Sequence, residues 1–510
     1  MDFFTTFFTF TTSVILLLFL YFSLFILKIY SNKSITNREY APVMGTVVNQ
    51  IFHYKKLFDY QTELAKKHPT FRLLTPENSR IFTTDTRNVE HILKTNFDHY
   101  IKGEYSQETC RELFGEGIFT VNGDKWKKQR KLASYEFSTR VLRDFSCSVF
   151  RKHAAKLIRA ISLFSVAKEA FDMQDVLLKF TLDSIFKVGF GVELNCLEGS
   201  SKENIAFMKA FDDSNALVCW RFVDPFWKLK RFFNIGCEAS LKKNIKVLDD
   251  FVNNLIKRKR TLLAGQQDCK EKEDILSRFL VESEKDPGEM TDQYLRDIIL
   301  NFMIAGKDTT AGTLSWFLYM LCKNPLIQEK IAQEVSQVIG CQKNEDNIDD
   351  FVENITEATL DQMHYLHAAL AETLRLYPAV PVDGRSSEID DILPDGYRVK
   401  KGDNVSYMAY AMGRMSYIWG EDAEEFRPER WLNNGIFQPE SPFKFVAFHA
   451  GPRICLGKDF AFRQMKIVSI ALLHFFRFRL ADETRIVTYR TMFTLHIDEG
   501  LPLLAIPRTA

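Results

Sequence analysis

The most pronounced hydrophobic pattern of the chain lies near its N-terminus. No acidic or basic residue occurs from Phe3 to Leu27, and about 20 apolar residues in helical form suffice to cross a bilayer. Asp2 precedes this run, whereas Lys28 and Lys33 follow it, and basic flanking residues mark the cytosolic side. We therefore predict one membrane span with the remaining chain in the cytosol. A cleaved signal peptide is disfavoured, because basic residues before the run and a small-residue cleavage site after it are missing.

A shorter pattern after the span predicts a small β element. Phe71–Leu74 and Arg80–Thr84 flank turn-forming residues at 76–78, which is typical of a β-hairpin. Asp85 then provides an N-cap for a helix that extends through Lys94.

Helical periodicity dominates the chain beyond this hairpin, so the sequence predicts a mainly α protein with a smaller β region. Polar stretches at 265–274 and 342–350 are predicted to be surface loops. No Gly/Ser-rich or Pro-rich linker divides the interior. We therefore divide the sequence into a membrane anchor (1–30), a linker (31–41) and one large domain (42–510).

The longest internal helix is predicted from Asp292 to Leu321, with Thr291 as its N-cap. Its interior contains the sequence AGKDTT at 305–310, although Gly and β-branched residues weaken a helix. A Thr hydroxyl can bond the carbonyl one turn earlier and open the helix locally, which leaves space for a small ligand. The alternative is a Gly that merely lets a neighbouring helix approach closely.

The overall composition restricts the classes of function. Lys plus Arg total 67 and Asp plus Glu total 66, so the formal net charge is +1 and no nucleic-acid partner is predicted. Hydrophobic residues make up 46% of the 510 residues, which fits a large buried core. The nine cysteines are odd in number and form no Cys-x-x-Cys pair, so they indicate neither a disulfide framework nor a zinc ribbon.

One cysteine stands in a distinctive segment. The stretch at 448–457 reads FHAGPRICLG, in which two glycines bracket Cys455 directly before a predicted helix. Such a turn can aim backbone N–H groups at the sulfur, and Arg453 also favours the thiolate, which is the form that binds a metal. An isolated cysteine is usually a buried, inert thiol. The five fixed positions of F-x-x-G-x-R-x-C-x-G favour a metal ligand instead.

This segment resembles the haem-ligand loop of the cytochrome P-450 family, and three further signatures of that family precede it in the right order. The stretch 305–310 resembles the oxygen-activating segment, 372–375 (ETLR) the Glu-x-x-Arg signature, and 426–431 (FRPERW) the segment that supplies a second Arg. The resemblance covers about residues 40–507. It implies the P-450 fold behind one N-terminal transmembrane helix, with Arg430 and the Glu-x-x-Arg pair in a buried structural cluster.

The resemblance also implies haem b (iron protoporphyrin IX) as the cofactor and Cys455 as its axial metal ligand. Haem carries two propionates, which require cationic or hydrogen-bonding partners on the protein. The family's positions for these partners fall on Trp126, Arg130, Arg385 and Arg453. These residues are therefore expected to bind the cofactor.

Two residues of the long helix acquire a catalytic role from the same resemblance. Thr309 is expected to hold dioxygen and water by hydrogen bonds, and Asp308 to relay protons, so that one oxygen atom enters a C–H bond. The chain has no Gly-x-Gly-x-x-Gly turn of a nucleotide-binding unit. Electrons are therefore expected from an NADPH-cytochrome P-450 reductase at the endoplasmic reticulum membrane, where the anchor contacts lipid and the catalytic domain is cytosolic.

Finer likenesses concern the substrate. The segments 375–385, 409–415 and 419–424 are similar to the plant clan of fatty-acid ω-hydroxylases, and most to its branch that acts on long-chain fatty acids for extracellular lipid polymers. The alternatives are a monooxygenase of terpenoids or sterols, a thiolate-haem isomerase or dehydratase, and a non-enzymatic membrane haem-binding protein. The intact Asp308–Thr309 pair disfavours the last two.

Family position also suggests which residues face the substrate. They are Ile118, Phe119, Phe302, Ala305, Val380, Val382 and Phe493. Ordinary packing in the core is the alternative for each of them.

Overall fold

The computed structural model describes residues 2–508 apart from 32, 77, 139, 266–273, 286–287, 289 and 341–346. Residues 266–273 of the loop predicted at 265–274 and residues 342–346 of the loop predicted at 342–350 lie outside these described residues, as does residue 77 in the predicted hairpin turn. The second loop prediction was wrong for residues 348–350, because a helix capped by Asn347 begins at Ile348.

Helices make up most of the described chain, which confirms the predicted mainly α fold class. In chain order they are α1 (Asp2–Tyr30), α2 (Val47–Phe52), α3 (Leu57–Lys67), α4 (Thr86–Glu90), α5 (Glu104–Phe114), α6 (Gly123–Ser138), α7 (Arg140–Ala167), α8 (Met173–Phe190), α9 (Lys202–Trp220), α10 (Trp227–Phe233), α11 (Cys237–Gly265), α12 (Ile275–Lys285), α13 (Asp292–Met303), α14 (Thr309–Lys323), α15 (Pro325–Ile339), α16 (Ile348–Glu353), α17 (Glu357–Gln362), α18 (His364–Leu376), α19 (Ala409–Met412), α20 (Ser416–Trp419) and α21 (Lys458–Phe475).

The strands are short. They are β1 (Val43–Thr46), β2 (Thr70–Leu74), β3 (Ser79–Thr83), β4 (Tyr100–Ile101), β5 (Phe171–Asp172), β6 (Asp383–Ser387), β7 (Asp391–Ile392), β8 (Arg398–Val399), β9 (Asn404–Tyr407), β10 (Leu432–Asn433), β11 (Ile436–Phe437), β12 (Phe476–Leu480), β13 (Tyr489–Arg490), β14 (His496–Ile497) and β15 (Pro502–Pro507). The largest sheet is mixed and has the order β1-β2-β3-β9-β6-β4. A second sheet has the order β12-β15-β5, and β7-β8, β10-β11 and β13-β14 form two-stranded ribbons.

The predicted hairpin is the β2–β3 pair, whose antiparallel register places Thr70 opposite Thr83 and Leu74 opposite Ser79. The Asp85 side chain accepts a hydrogen bond from the backbone N–H of Arg87 and caps α4, as predicted. A π-helical turn at 91–95 continues α4, so the helical stretch ends one residue beyond the predicted end.

The predicted long helix consists of α13, a π-helical turn at Ile304–Asp308, and α14. The Thr291 side chain caps its N-terminus, as predicted. The Thr309 hydroxyl donates to the carbonyl of Ala305 at 2.5 Å, and a Cβ added to Gly306 would lie 2.6 Å from Cδ1 of Ile185 on α8. Both interpretations of this segment therefore hold, because the helix opens where a neighbouring helix also approaches closely.

The main core surrounds this long helix. Its C-terminal part α14 packs against α8, α18 and α21, and Leu314, Phe317 and Leu318 are fully buried there. The π-helical turn therefore lies on a rigid support at the centre of the molecule.

The N-terminal helix α1 is different, because most of its described side chains are exposed. Its segment Thr6–Tyr30 is long and apolar enough to cross a membrane. The Phe25 ring lies 5.6 Å from the ring of Phe226, just before α10. This apolar helix fits the predicted membrane anchor.

Candidate active site

The loop before α21 holds Cys455 in a conformation that depends on glycine. Gly451 has φ +65°, and a Cβ at this position would lie 1.8 Å from the carbonyl oxygen of Leu93, so another residue would require the two segments to move apart. The backbone N–H of Cys455 donates to the carbonyl of Phe448 at 2.8 Å and closes the turn. Because α21 begins at Lys458, the cysteine is fixed directly before a buried helix.

The Cys455 side chain is accessible to solvent-sized molecules, yet the surrounding chain desolvates it. Burial raises the pKa of this thiol, whereas the backbone N–H of Gly457 and the charge of Arg130 act in the opposite direction. The thiol therefore combines accessibility with a desolvated position in the protein. An N–H group and a cation that favour the thiolate suit a metal ligand.

Three cations gather around a single carboxylate near this loop. Lys102 Nζ lies 2.6 Å from one oxygen of Asp383, and a terminal nitrogen of Arg385 lies 2.7 Å from the other. The Arg453 guanidinium stacks on the Trp126 ring at 4.5 Å from the ring centroid. The Nε atoms of Arg385 and Arg453 are buried and have no hydrogen-bond partner among the described residues.

This cluster carries more positive charge than its carboxylate neutralises. The pKa of Lys102 is lowered to about 8 and that of Arg453 to about 9. The main cause for both is burial, and the second is the charge of Arg385. Crowded, desolvated cations with orphaned N–H groups require additional anions. The two propionates of haem meet this requirement, so the residues that are present fit the cofactor that the sequence implies.

The structure brings the predicted cofactor residues together. Trp126 and Arg453 are in contact, Arg385 lies close enough to Arg453 to lower its pKa, and Arg130 lies near both Arg453 and Cys455. Sequence reasoning missed four other members of this polar cluster, namely Lys102, Asp383, Tyr407 and His449. The Tyr407 hydroxyl contacts both Asp383 (3.0 Å) and His449 Nδ1 (2.7 Å). Asp383 was within reach of sequence reasoning, because it stands two residues before Arg385 on β6.

A cavity of about 410 Å³ extends from the π-helical turn toward the large sheet, and Ala305 and Thr309 form part of its wall. Of the residues predicted to face the substrate, those that line it are Phe119, Ala305, Val380, Val382 and Phe493. Phe302 and Ile118 are not among its lining residues in the described chain. The Phe302 ring packs in the core, 6.0 Å from the ring of Phe137 and 6.3 Å from that of Phe279.

Asp308 and Thr309 point into different surroundings. The Thr309 side chain lies at the cavity, whereas the Asp308 carboxylate is fully buried and accepts hydrogen bonds from Lys307 (2.6 Å) and Asn215 (3.1 Å). Lys307 also contacts Asp212 on α9 at 2.7 Å. Burial opposes the charge of Lys307, but the two carboxylates outweigh it and raise the pKa of the ammonium group. This network therefore connects the Asp308 carboxylate to Asp212, which is partly exposed.

The Glu-x-x-Arg pair forms the buried structural cluster that was expected. Arg375 binds both carboxylate oxygens of Glu372, at 2.7 and 2.8 Å. The same carboxylate accepts from Arg430 Nε at 3.2 Å and from the indole N–H of Trp431 at 2.9 Å. Because Glu372 is on α18 and its other partners lie at 427–431, the cluster joins this helix to the segment that leads to the cysteine loop.

The mainly helical fold, the thiol in its glycine-built loop and the surplus of buried cations together fit the class of haem-thiolate proteins. Comparison with known proteins agrees. The sequence model described as Cytochrome P450 matches residues 38–502. Cytochrome P450 704C1 of Pinus taeda is 50% identical over 480 residues, which cover 92% of either chain. Cytochrome P450 704B1 of Arabidopsis thaliana is 44% identical, with 90% of this chain and 93% of the relative covered. Cytochrome P450 86B1 of the same plant is 37% identical, with 92% and 85% covered. The chain belongs to the cytochrome P450 family and is a monooxygenase of that family.

Proposed function

We propose that this monooxygenase hydroxylates long-chain fatty acids at or near the methyl end. The observation that carries the proposal is the cavity wall, whose exposed surface is mainly apolar, with Phe and Val as its commonest apolar residues, and which reaches Ala305 and Thr309. A cavity with a mainly apolar surface takes an apolar ligand and excludes water from the reacting end. The similarity of the chain to the plant fatty-acid ω-hydroxylase clan selects a fatty acid from among the apolar ligands.

When bound, the haem supplies the reductive activation of O2 that breaks an unactivated C–H bond. The protein must then deliver protons and exclude bulk water. We assign proton delivery at the cavity to Thr309 Oγ1, which lies at the cavity wall and donates to the Ala305 carbonyl. The Asp308–Lys307–Asp212 network supplies a route from the partly exposed Asp212 to the opened turn.

Oxidation at the methyl end requires control by position. Terminal methyl C–H bonds are stronger than those of the adjacent methylenes, so the cavity must present the chain end-on. Val380 and Phe493 line the cavity and are assigned to narrow it. The position of the alkyl chain in the cavity, and not the strength of its C–H bonds, then determines which carbon is oxidised.

Electrons are proposed to come from a membrane-bound, NADPH-dependent reductase at the endoplasmic reticulum. The outer face of α6 presents exposed lysines at 125, 127, 128 and 131. A basic face on the helix that also holds Trp126 and Arg130 suits an acidic electron donor, since complementary charges steer association. The apolar helix α1 would hold both proteins and the lipid substrate at one membrane.

The test uses the anchored protein, reductase and NADPH with saturated and unsaturated fatty acids of graded length, and locates the hydroxyl group by mass spectrometry. We expect products at ω, and we expect Phe493→Leu to shift them toward ω−1 and ω−2 before total turnover falls. Phe302→Leu is the matched control, because this ring packs in the core. Oxidation of a terpenoid or sterol, with no fatty acid oxidised, would refute the proposed substrate class.

A further inference from the structure

The charged residues that line the cavity differ in whether they form an ion pair with a residue of opposite charge. They are Arg80, Lys102, Asp224, Lys228 and Asp383. Lys102 pairs with Asp383 at 2.6 Å, and Lys228 pairs with Glu108 at 2.6 Å. Arg80 has no carboxylate within 4.0 Å in the described part of the chain. One cation of the cavity wall is therefore left without a counterion.

The surroundings of Arg80 hold its guanidinium in place without neutralising it. The group lies 5.1 Å from the ring centroid of Tyr105 and 5.8 Å from that of Phe222. One of its nitrogens donates to the carbonyl of Phe222 at 2.6 Å. The nearby carboxylate in the cavity wall, Asp224, is already paired with Lys230 at 2.6 Å. A half-buried guanidinium that is ordered by two rings and keeps free N–H groups is suited to bind a carboxylate.

The strand register directs Arg80 into the cavity. Arg80 and Phe82 lie two residues apart on β3 and thus on one face of the sheet, and both line the cavity. Their partners on the parallel strand β9 are Asn404 and Ser406, which also line it. This polar face of the sheet contrasts with the apolar walls elsewhere.

A second donor without a partner lies in the same wall. Gln50 on α2 is 2% exposed, and its Nε2 has no hydrogen-bond partner among the described residues. It lines the cavity. The strand before α2 is β1, which is joined to β3 through β2, so Gln50 and Arg80 belong to neighbouring elements. A buried amide N–H without a partner is stabilised when a ligand oxygen reaches it.

A series of aromatic contacts leads from Arg80 toward the long helix. Phe222 contacts Phe493 at 5.8 Å, Phe493 contacts Phe114 at 5.6 Å, and Phe114 contacts Phe119 at 6.3 Å. The backbone N–H of Phe119 in turn donates to Asn301 Oδ1 at 3.4 Å, one helical turn before Ala305. This apolar track connects the unpaired cation to the turn that carries Thr309.

We infer that Arg80 binds the carboxylate of the fatty acid, with Gln50 as an additional donor, while the alkyl chain follows the aromatic track and places its methyl end at Thr309. This inference rests on the proposed function. It explains how one cavity can select both the class of substrate and the end that is oxidised, because an anchored head group determines which carbon arrives at the other end.

The test measures dissociation constants by calorimetry for a long-chain fatty acid, ionised at the pH used, and for its methyl ester. We expect Arg80→Gln to weaken binding of the acid about 10- to 100-fold, as for loss of a charged hydrogen bond, and to change binding of the ester by about twofold or less. Arg80→Lys should restore part of the affinity, since it keeps the charge but not the two-pronged geometry. Lys228→Gln is the matched control, because this lysine also lines the cavity but is paired, and it should leave the ratio of acid to ester affinity unchanged.

Equal losses for acid and ester in Arg80→Gln, or the same loss of acid affinity in Lys228→Gln, would overturn the assignment of the carboxylate to Arg80. In both cases the wild-type protein would still bind and oxidise fatty acids, so the proposed function would stand. If the wild-type protein neither binds nor oxidises any fatty acid, the proposed function and this inference fail together. A melting temperature measured for each variant separates loss of binding from loss of folding, and Arg80→Lys provides the test if Arg80→Gln does not fold.

Discussion

Cys455 depends on neighbours that are close to it in the sequence as well as in space. The backbone N–H of Gly457 and the turn closed on Phe448 come from the same short segment. Thr309 is similar, because the carbonyl that its hydroxyl reaches belongs to Ala305, one turn earlier. The properties of both side chains are therefore set largely by short local segments.

For Cys455 we expect that replacement by Ser removes the red-shifted absorption band that carbon monoxide produces in the reduced protein, since a hydroxyl does not replace a thiolate ligand. Difference spectra of the purified protein provide the measurement. Cys322→Ser is the control, because Cys322 lies on α14 and outside the cysteine loop. A band that survives in Cys455→Ser would assign the iron to another residue.

For Thr309 we expect that replacement by Ala lowers the amount of product formed per NADPH consumed and raises the amount of peroxide released. The reason is that the variant lacks the hydroxyl to which proton delivery at the cavity is assigned. The ratio of product to NADPH measures this coupling. Thr313 makes the same hydroxyl-to-carbonyl contact one turn later, at 2.8 Å to Thr309, but is not among the residues that line the cavity in the described chain. Thr313→Ala should therefore stay coupled, and equal coupling in both variants would contradict the role of Thr309.

At the scale of elements, the cysteine loop is held by contacts between segments that are remote in the sequence. Gly451 packs against the carbonyl of Leu93, and Glu372 of α18 collects N–H groups from the segment 427–431. Arg375 adds hydrogen bonds to the carbonyls of Gly413, Ala423 (2.5 Å) and Glu425 (2.9 Å). The loop geometry is thus a property of several elements.

Glu372→Gln should lower the free energy of unfolding by about 3–5 kcal/mol, because it leaves the buried Arg375 without its carboxylate. Chemical denaturation provides the measurement. Glu90→Gln is the comparison, since the Glu90–Lys94 pair is exposed and its loss should cost at most about 0.5 kcal/mol. Similar losses in both variants would contradict a structural role for Glu372.

At the scale of the whole molecule, the apolar helix α1 extends from a catalytic domain whose cavity takes apolar ligands. The ring of Phe226, just before α10, contacts Phe25 and Phe22 of α1 at 5.6 and 6.0 Å. Leu229, Phe232 and Phe233 on α10 are exposed. Both features suit a domain that lies close to the lipid from which the proposed substrate would come.

The orientation of α1 leads to a prediction about topology. Protease added to sealed microsomes should digest the domain that follows α1, because Lys28 and Lys33 favour the cytosolic side. Immunoblotting against the C-terminus provides the measurement, with a lumenal protein as the protected control. Asn354 and Asn404 stand in Asn-x-Ser/Thr sequences, which are acceptors for N-glycosylation in the lumen. Protection of the domain, or glycosylation at either residue, would show the opposite orientation.

Local features of the fold were predictable from the sequence. The β2–β3 hairpin, the caps at Asp85 and Thr291, and the opened turn before Thr309 were all predicted, because each depends on propensities and hydrogen bonds within a few residues. The family signatures in addition predicted haem as the cofactor and Cys455 as its ligand. These are properties that short stretches of sequence carry by themselves.

Only the tertiary structure decided which side chains meet in the cavity. Phe302 and Ala305 are three residues apart and would share one face of an α-helix, but the π-helical turn at 304–308 changes the helical phase between them, and only Ala305 reaches the cavity. The sequence around Lys102 and Arg80 does not single out either residue. Their roles depend on tertiary contacts, because Lys102 pairs with the Asp383 carboxylate whereas Arg80 has no carboxylate partner among the described residues. The charge balance of a buried site depends on every segment that folds around it, and for this reason the sequence alone determined the cofactor but not the residue that would bind the substrate's head group.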